Sequence, residues 1–303
     1  MPDGDGGSSG FLLLDKSPGR TSFEALGPVK KALATGKVGH TGTLDKFASG
    51  LLVVLAGRAL RLSPWVSHCD KSYVGTIFFG EETDTLDPEG VPVARAPVPS
   101  LDRLEEAMTG FRGEILQAPP LYSAIHLDGR RASERARSGE NPVMKERRVA
   151  IREISLLSWT PPLARVRVRC SGGVYIRSLA RDIALACGSR AYLKELRRTG
   201  VAGFSVEDLS PGEAPGAPIL RPIDRAFFAA LGIPRFEGDF SLLSPLIHGR
   251  PLGPLLAGLE LTGLADAKGD PPAAAVFAGE EFAAMVKRSG GGAWEYGYVF
   301  ARH

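Results

Sequence analysis

The chain has 303 residues, 44% hydrophobic and 23% charged, with a formal net charge of +3 at pH 7; this size and balance fit one large core plus a smaller one and exclude a fibrous or wholly disordered protein. No apolar run reaches membrane-spanning length, and the opening MPDGDGGSSG has neither the basic start nor the apolar stretch of an export signal, so residues 1–10 read as a disordered tail and the cytoplasm is the expected compartment. Cys69, Cys170 and Cys187 lie far apart without metal-ligand spacing, which argues against a disulfide framework or a zinc knot.

In chain order, RTSFEALGPVKKALAT opens with a Thr21–Glu24 capping box and places Phe23, Leu26, Val29 and Leu33 on one helical face, with Pro28 bending the helix or delaying its start. GHTGTLDKFASG, residues 39–50, then surrounds one carboxylate, Asp45, with Gly39, Gly42 and Gly50 and with hydroxyl side chains. Such a segment turns tightly and hydrogen-bonds locally. LLVVLAG reads as a strand buried on both faces and SYVGTIFFG as a second strand of the same sheet. TDTLD carries Asp84 and Asp87, which resemble a metal pair, but the DPEG that follows is a turn signature and favours a loop-shaping role.

VPSLDRLEEAMTGF is helical with Ser100 as its cap, and LDGRRASERARSGENPVMKERR reads as a mobile basic insert whose arginines, Arg130, Arg131, Arg147 and Arg148 among them, suit phosphate contacts. ARVRVRC alternates Arg165, Arg167 and Arg169 with valines, a strand with one wet, positive face. SLARDIALACG and RAYLKELRRTG read as helices that end at Gly188 and Gly200. SPGEAPGAPILRP is a linker, and beyond residue 240 short apolar runs such as AAAVF and YGYVFA suggest a small β-rich unit.

Charge is unevenly spread. Of 37 Lys+Arg and 34 Asp+Glu in the chain, 17 and 7 fall between residues 126 and 200, which leaves 20 against 27 elsewhere. A local surplus of this kind is the footprint of a polyanion partner, and the lack of a basic amphipathic helix favours nucleic acid over a membrane.

GHTGTLDKFASGLLVV, KSYVGTIFFGEETDTLDPEG, QAPPLYSAIHLDGRR and CSGGVYIRSLARDIA with LKELRRTGVAGF occur in the order and approximate spacing of the bacterial tRNA pseudouridine-55 synthases. Residues 11–210 resemble this TruB family. The resemblance implies an α+β pseudouridine synthase fold: a central mixed, largely antiparallel sheet flanked by helices, plus a small C-terminal PUA-like module. It places the catalytic domain at 11–235, with an RNA-clamping insert at about 120–150, and the module at 240–303.

The implied reaction isomerises uridine 55 of the tRNA T-loop. Asp45 matches the catalytic aspartate, Arg177 the arginine paired with it and Tyr73 the tyrosine that stacks on the flipped base; His40, Tyr175 and Leu196 match substrate contacts. A guanidinium suits the pairing because it binds a carboxylate as a fork. No metal and no cofactor are implied, and the partner is the T-arm stem-loop, met without a guide RNA or a membrane, by a monomer. Lys46, His126 and Ala132 stand where the family commonly has proline, lysine and tyrosine. The alternatives are a non-catalytic RNA-binding or tRNA-folding protein on the same scaffold and, further off, a metal-dependent phosphotransferase using Asp45, Asp84 and Asp87.

Overall fold

A computed structural model describes residues 9–123, 125–127, 129–140, 142–209, 219–263 and 272–301. Nearly all of the tail expected at 1–10, and most of the Pro/Gly-rich linker, lie outside the described residues. The chain runs through β1 (Gly10–Lys16), α1 (Ser22–Ala25), α2 (Gly27–Ala32), β2 (Val38–His40), β3 (Ser49–Ala56), α3 (Ser63–His68) and β4 (Lys71–Phe79). A hairpin of β5 (Glu81–Thr83) and β6 (Pro92–Arg95) precedes α4 (Leu101–Thr109) and β7 (Gly113–Gln117). The basic insert holds β8 (His126–Leu127), β9 (Arg130–Arg131) and α5 (Ala132–Arg137). There follow β10 (Arg147–Thr160), β11 (Leu163–Cys170), α6 (Ile176–Ala186), β12 (Ala191–Val201), β13 (Phe204–Ser205) and α7 (Arg225–Leu231). The C-terminal part contains β14 (Arg235–Gly238), α8 (Leu243–Ile247), α9 (Leu252–Leu256), β15 (Leu261–Thr262), β16 (Ala273–Ala278), β17 (Glu281–Arg288) and β18 (Trp294–Val299).

The main sheet is mixed and largely antiparallel, in the order β1-β3-β12-β4-β11-β10-β7, with β2 on β3 and β13 on β12. Its parallel contact joins β12 to β3, through Arg197 opposite Ser49 and Arg198 opposite Gly50. β3 is buried on both faces as its composition demands: Leu52 and Val54 enter one core with α4 and α6, while Leu51, Val53 and Leu55 enter a second. That second core is closed by α7 and by Ala275, Phe277, Phe282 and Met285 of the smaller sheet, whose order is β15-β14-β16-β17-β18. Among the described residues no helix is long and apolar enough to cross a membrane.

Three local readings need correction. RAYLKELRRTG is not a helix but the central strand β12, paired with β4 on one side and β3 on the other. A bulge between Leu193 and Glu195 shifts the alternation by one, so Leu193 and Leu196 are both buried and mimic helical spacing; Gly200, read as a helix cap, lies inside the strand opposite Ser72 and Ser205. The first helix is two short ones, because Pro28 enters the first turn of α2 and has no N–H to continue α1, although the Thr21–Glu24 capping box forms as read. Phe23, placed on one helical face with Leu26 and Val29, does not share their burial: it is 69% exposed with the Lys30 ammonium 4.5 Å from its ring centre.

Candidate active site

The segment from Thr41 to Ala48 joins β2 to β3, and it is anchored on both sides of Asp45. The Thr41 amide and hydroxyl both donate to the Val53 carbonyl, at 3.0 and 3.1 Å. The Ser22 hydroxyl accepts from the Leu44 amide at 2.8 Å and donates to the Leu44 carbonyl at 3.1 Å, and the Leu44 and Ala48 side chains sink into the core. Beneath the loop the Lys16 ammonium is fully buried and donates to the carbonyls of Arg20, at 2.8 Å, and Ala48. Carbonyl dipoles there stand in for water, and burial still pushes the Lys16 pKa down, opposed by the nearby Asp45. Of the three glycines singled out in the loop, only Gly50 has a left-handed φ, +109°; a Cβ there would lie 2.2 Å from the Arg198 carbonyl oxygen.

Asp45 emerges from this loop half-buried and meets Arg177 on the first turn of α6. Arg177 Nε donates to Oδ2 at 2.9 Å and Nη2 to Oδ1 at 3.0 Å, a two-pronged contact between residues 132 positions apart. Arg177 is itself 4% exposed. Its remaining N–H groups reach the Tyr122 carbonyl at 3.0 Å, the Thr85 carbonyl at 2.6 Å and Asp87 Oδ2 at 3.1 Å. Four guanidinium N–H groups are thus hydrogen-bonded, and Nη1 is ion-paired with Asp87 as well. Asp87 is buried and fixed by the Thr85 hydroxyl at 2.6 Å and the Glu89 amide at 3.0 Å; burial pushes its pKa up, against the pull of these bonds and of Arg177. The TDTLD loop thus does more than shape a turn: it clamps the arginine from the side opposite Asp45.

Asp45 and Arg177 line a cavity of about 600 Å³ walled by Tyr73, Tyr175 and Leu196, with His40 also on its lining. Tyr73 is buried on β4 directly opposite Arg198 of β12, and burial raises its pKa while Arg198 opposes the rise. Tyr175 is set at the entry to α6 by Gln117, whose side chain accepts from the Tyr175 amide at 2.9 Å and donates to its carbonyl at 3.2 Å. His40 Nδ1 is buried with no hydrogen-bond partner, and burial together with Arg198 lowers the pKa of the ring.

Eight of the ten residues singled out from the sequence share this cavity: Asp45, Tyr73, Arg177, His40, Tyr175, Leu196, Arg131 and Arg147. Arg130 and Arg148 do not. Arg130 is tied to Glu140 at 2.9 Å within the insert, and Arg148 is exposed beside Glu114 on the sheet edge. Lys46 is exposed and faces Glu89 at 3.8 Å, whereas Ala132 is buried and His126 exposed. The cavity also holds Arg137 of the basic insert, together with Lys71 and Arg198, to which the sequence motifs gave no role. Arg198, 2% exposed, donates to the carbonyls of Leu51 at 2.7 Å and Gly42 at 3.0 Å. Had KELRR been read as a strand, Leu196 and Arg198 would have fallen on one face together. Among the described residues no group of three or more His, Cys, Asp or Glu is placed to hold a metal.

A family profile described as TruB family pseudouridylate synthase (N terminal domain) matches residues 30–176. A tRNA pseudouridine synthase B of Treponema denticola is 48% identical over 218 residues, 65% of this chain and 61% of that protein. Proteins of the same name from Borreliella burgdorferi and Bordetella avium are 45% and 48% identical over 66% and 65% of this chain, covering 72% and 83% of their own lengths. Among solved structures, one titled as a Cbf5-Nop10-Gar1 complex superposes with a TM-score of 0.69 at 25% identity, covering 96% of this chain and 85% of that one. An archaeal box H/ACA complex of Nop10 and Cbf5 gives 0.67 at 24% identity and shares the fold. The profile spans the anchored loop with Asp45 and the Tyr73 strand and ends at Ile176, the residue before Arg177; with relatives 45% and 48% identical matched over 72% and 83% of their own lengths, the chain belongs to the TruB family of pseudouridylate synthases.

Proposed function

We propose that the chain converts uridine 55 in the T-loop of tRNA to pseudouridine, with Asp45 as the nucleophile. The observation that carries this reading is the forked Asp45–Arg177 contact inside a cavity roomy enough for a flipped nucleotide. The target uridine leaves its stack and enters between Tyr73, Tyr175 and Leu196, a flipping step that any chemistry on a stacked base requires. An Asp45 oxygen bonds to the sugar C1′ or the base C6, the C1′–N1 bond breaks, the base turns, C1′ joins C5, and the bond to the Asp45 oxygen breaks, which frees the carboxylate. C5 gives up one proton and N1 takes one, so composition is unchanged. Arg177 holds the carboxylate in line through two bonds while Asp87 and the Thr85 carbonyl keep the guanidinium from following the substrate. Tyr73 supplies the flat wall.

In this reading residues 11–235 form the catalytic unit and 240–303 a PUA-like RNA-contacting module. The relatives named tRNA pseudouridine synthase B support tRNA as the substrate. The protein works as a cytoplasmic monomer that recognises the T-arm by shape, without a guide. The test is incubation of purified protein with an unmodified tRNA transcript and with a minimal T-arm hairpin, no other RNA present, followed by nucleoside analysis. Pseudouridine at the T-loop position is expected from both. Product that appears only after a guide RNA or partner protein is added would overturn guide-free action, and tight binding without product would mark a non-catalytic RNA-binding protein.

A further inference from the structure

The positive strand ARVRVRC takes no part in the cavity. On β11, Ala164, Val166, Val168 and Cys170 point into the core, and Arg165, Arg167 and Arg169 point out from the other side of the sheet, all three exposed. Alternate residues of a strand lie roughly 6.6 Å apart, so the three guanidinium groups form an evenly spaced row. Among the described residues none of the three side chains makes a hydrogen bond or an ion pair, although Glu153 stands opposite Arg169 in the register and Ser155 opposite Arg167. The next strand, β4, presents Ser72, Val74, Thr76 and Phe78 on the same side, opposite Arg169, Arg167, Arg165 and Leu163, and these β4 side chains are only half-buried. Beyond β4, strand β12 adds Tyr192, Lys194 and Arg197; its acid Glu195 is taken by the Thr76 hydroxyl at 2.9 Å, and Arg197 is paired with Asp15 of β1.

Two further features give this face more than charge. Phe78 and Tyr192 stack at 5.2 Å between centroids with their planes 25° apart, forming a flat aromatic end to the arginine row. Beside Arg165 the sheet hollows into a recess of about 610 Å³ whose lining includes Val74, Thr76, Arg197 and Thr199. Tyr73 and Val74 point to opposite sides of β4, so the arginine row and the Asp45 cavity sit on opposite faces of one sheet.

We infer that the open face of β11, β4 and β12 is a second RNA-binding surface, on which Arg165, Arg167 and Arg169 hold the phosphates of a single-stranded RNA segment and the Phe78–Tyr192 pair stacks against its bases. Unpaired arginines in an open row complement a phosphodiester chain, and aromatic side chains on an open sheet accept bases of any identity. An acidic protein surface would match the arginines but leave the aromatic pair without a function. The inference is independent of the chemistry at Asp45.

The probe is a fluorescein-labelled oligouridylate of about 12 nucleotides, a length within the span of known single-strand sites, titrated into the full chain by anisotropy. Replacing Arg165, Arg167 and Arg169 together by Gln is expected to weaken binding at least about ten-fold and to flatten the log–log salt slope by about 2. Tyr192→Leu, which keeps bulk but removes the ring, is expected to weaken it about five-fold. Asp45→Asn should leave oligouridylate binding unchanged, and the arginine variant should convert a T-arm hairpin within about a factor of two of wild type, since none of the three arginines lines the Asp45 cavity. A 4-thiouridine oligomer photocrosslinked to the wild-type chain should map to β4 and β12 peptides, a readout that does not depend on any variant folding.

Unchanged affinity in the arginine variant, or crosslinks confined to residues lining the Asp45 cavity, would overturn the assignment. So would polyphosphate competing as well as RNA with no effect of Tyr192→Leu, which would reduce the face to a polyanion sink, or light scattering that shows the arginine variant dissociating a self-assembly while RNA binding is untouched.

Discussion

Arg177 is the residue on which the site turns, because its guanidinium engages two carboxylates and two backbone carbonyls from three separate loops. A lysine has one charge centre and no fork, so it cannot hold Asp45 and the Thr85 and Tyr122 carbonyls at once. Arg177→Lys is expected to lower turnover about 100-fold or more, and Asp45→Asn at least about 10⁴-fold, with tRNA affinity in both within a few-fold of wild type. Single-turnover assays beside filter binding check both, and near-normal turnover by either variant contradicts the assigned roles. His40 yields a pH prediction. Its folded-state pKa lies below the ordinary 6.5, from burial and from Arg198, so below that pH the unfolded chain binds the proton more readily than the native one. Stability contributed by a neutral His40 is present above pH 6.5 and declines as pH falls toward the lowered value. Thermal melts between about pH 7 and pH 5 should therefore show a steeper loss in wild type than in His40→Gln, and parallel curves would contradict it.

At the scale of elements, the parallel contact of β3 with β12 rests on a pair of positions, and Gly50 is one of them. With φ at +109° and the Arg198 backbone 2.2 Å from any Cβ, Gly50→Ala has to push the strands apart at the point where the loop carrying Asp45 re-enters the sheet. A loss of about 3 kcal/mol in urea unfolding is expected, together with loss of activity; a variant of wild-type stability would mean that β12 moves freely. Much at this scale was legible beforehand. β3 announced itself by continuous apolar character, α4 by Ser100 and its spacing, and β11 by strict alternation, because in each case burial follows the local period. β12 was not legible, because its bulge breaks the period of two and Gly200 near its end imitates a helix cap. Within the site, Asp45 and Arg177 were found through the motifs around them, whereas the clamp of Asp87 on Arg177 and the seat of Lys16 under the loop depend on contacts across 90 and 30 positions, which no local pattern encodes.

At the scale of the whole molecule, the insert divides its arginines: Arg131 and Arg147 face the cavity, while Arg130 and Arg148 lean on Glu140 and Glu114. Replacing Arg131 and Arg147 by Ser should weaken tRNA binding more, and flatten its salt dependence by roughly 0.7–0.9 per lost phosphate contact, than the same change at Arg130 and Arg148. Equal effects in filter binding over a salt series would mean that the insert acts only through total charge. The two sheets pose a different question, whether they fold as one body. Phe11, Leu13, Leu51 and Val53 of the main sheet share a core with Ala275, Phe277, Phe282 and Met285 of the smaller one, and α7 bridges the junction, Phe227 packing on Phe11 and Phe228 on Phe277 and Phe282. A seam built from apolar side chains at this density couples its two sides, since opening one exposes the buried face of the other. The three tryptophans report on the parts separately: Trp159 packs edge-on to Phe79 in the main sheet, Trp294 edge-on to Phe236 in the smaller one, and Trp65 lies against Gly297 in the seam. Variants that keep Trp159 alone or Trp294 alone, the others changed to Phe, should unfold in urea with coincident fluorescence midpoints, and midpoints separated by more than about 0.5 M would show that the smaller sheet unfolds on its own.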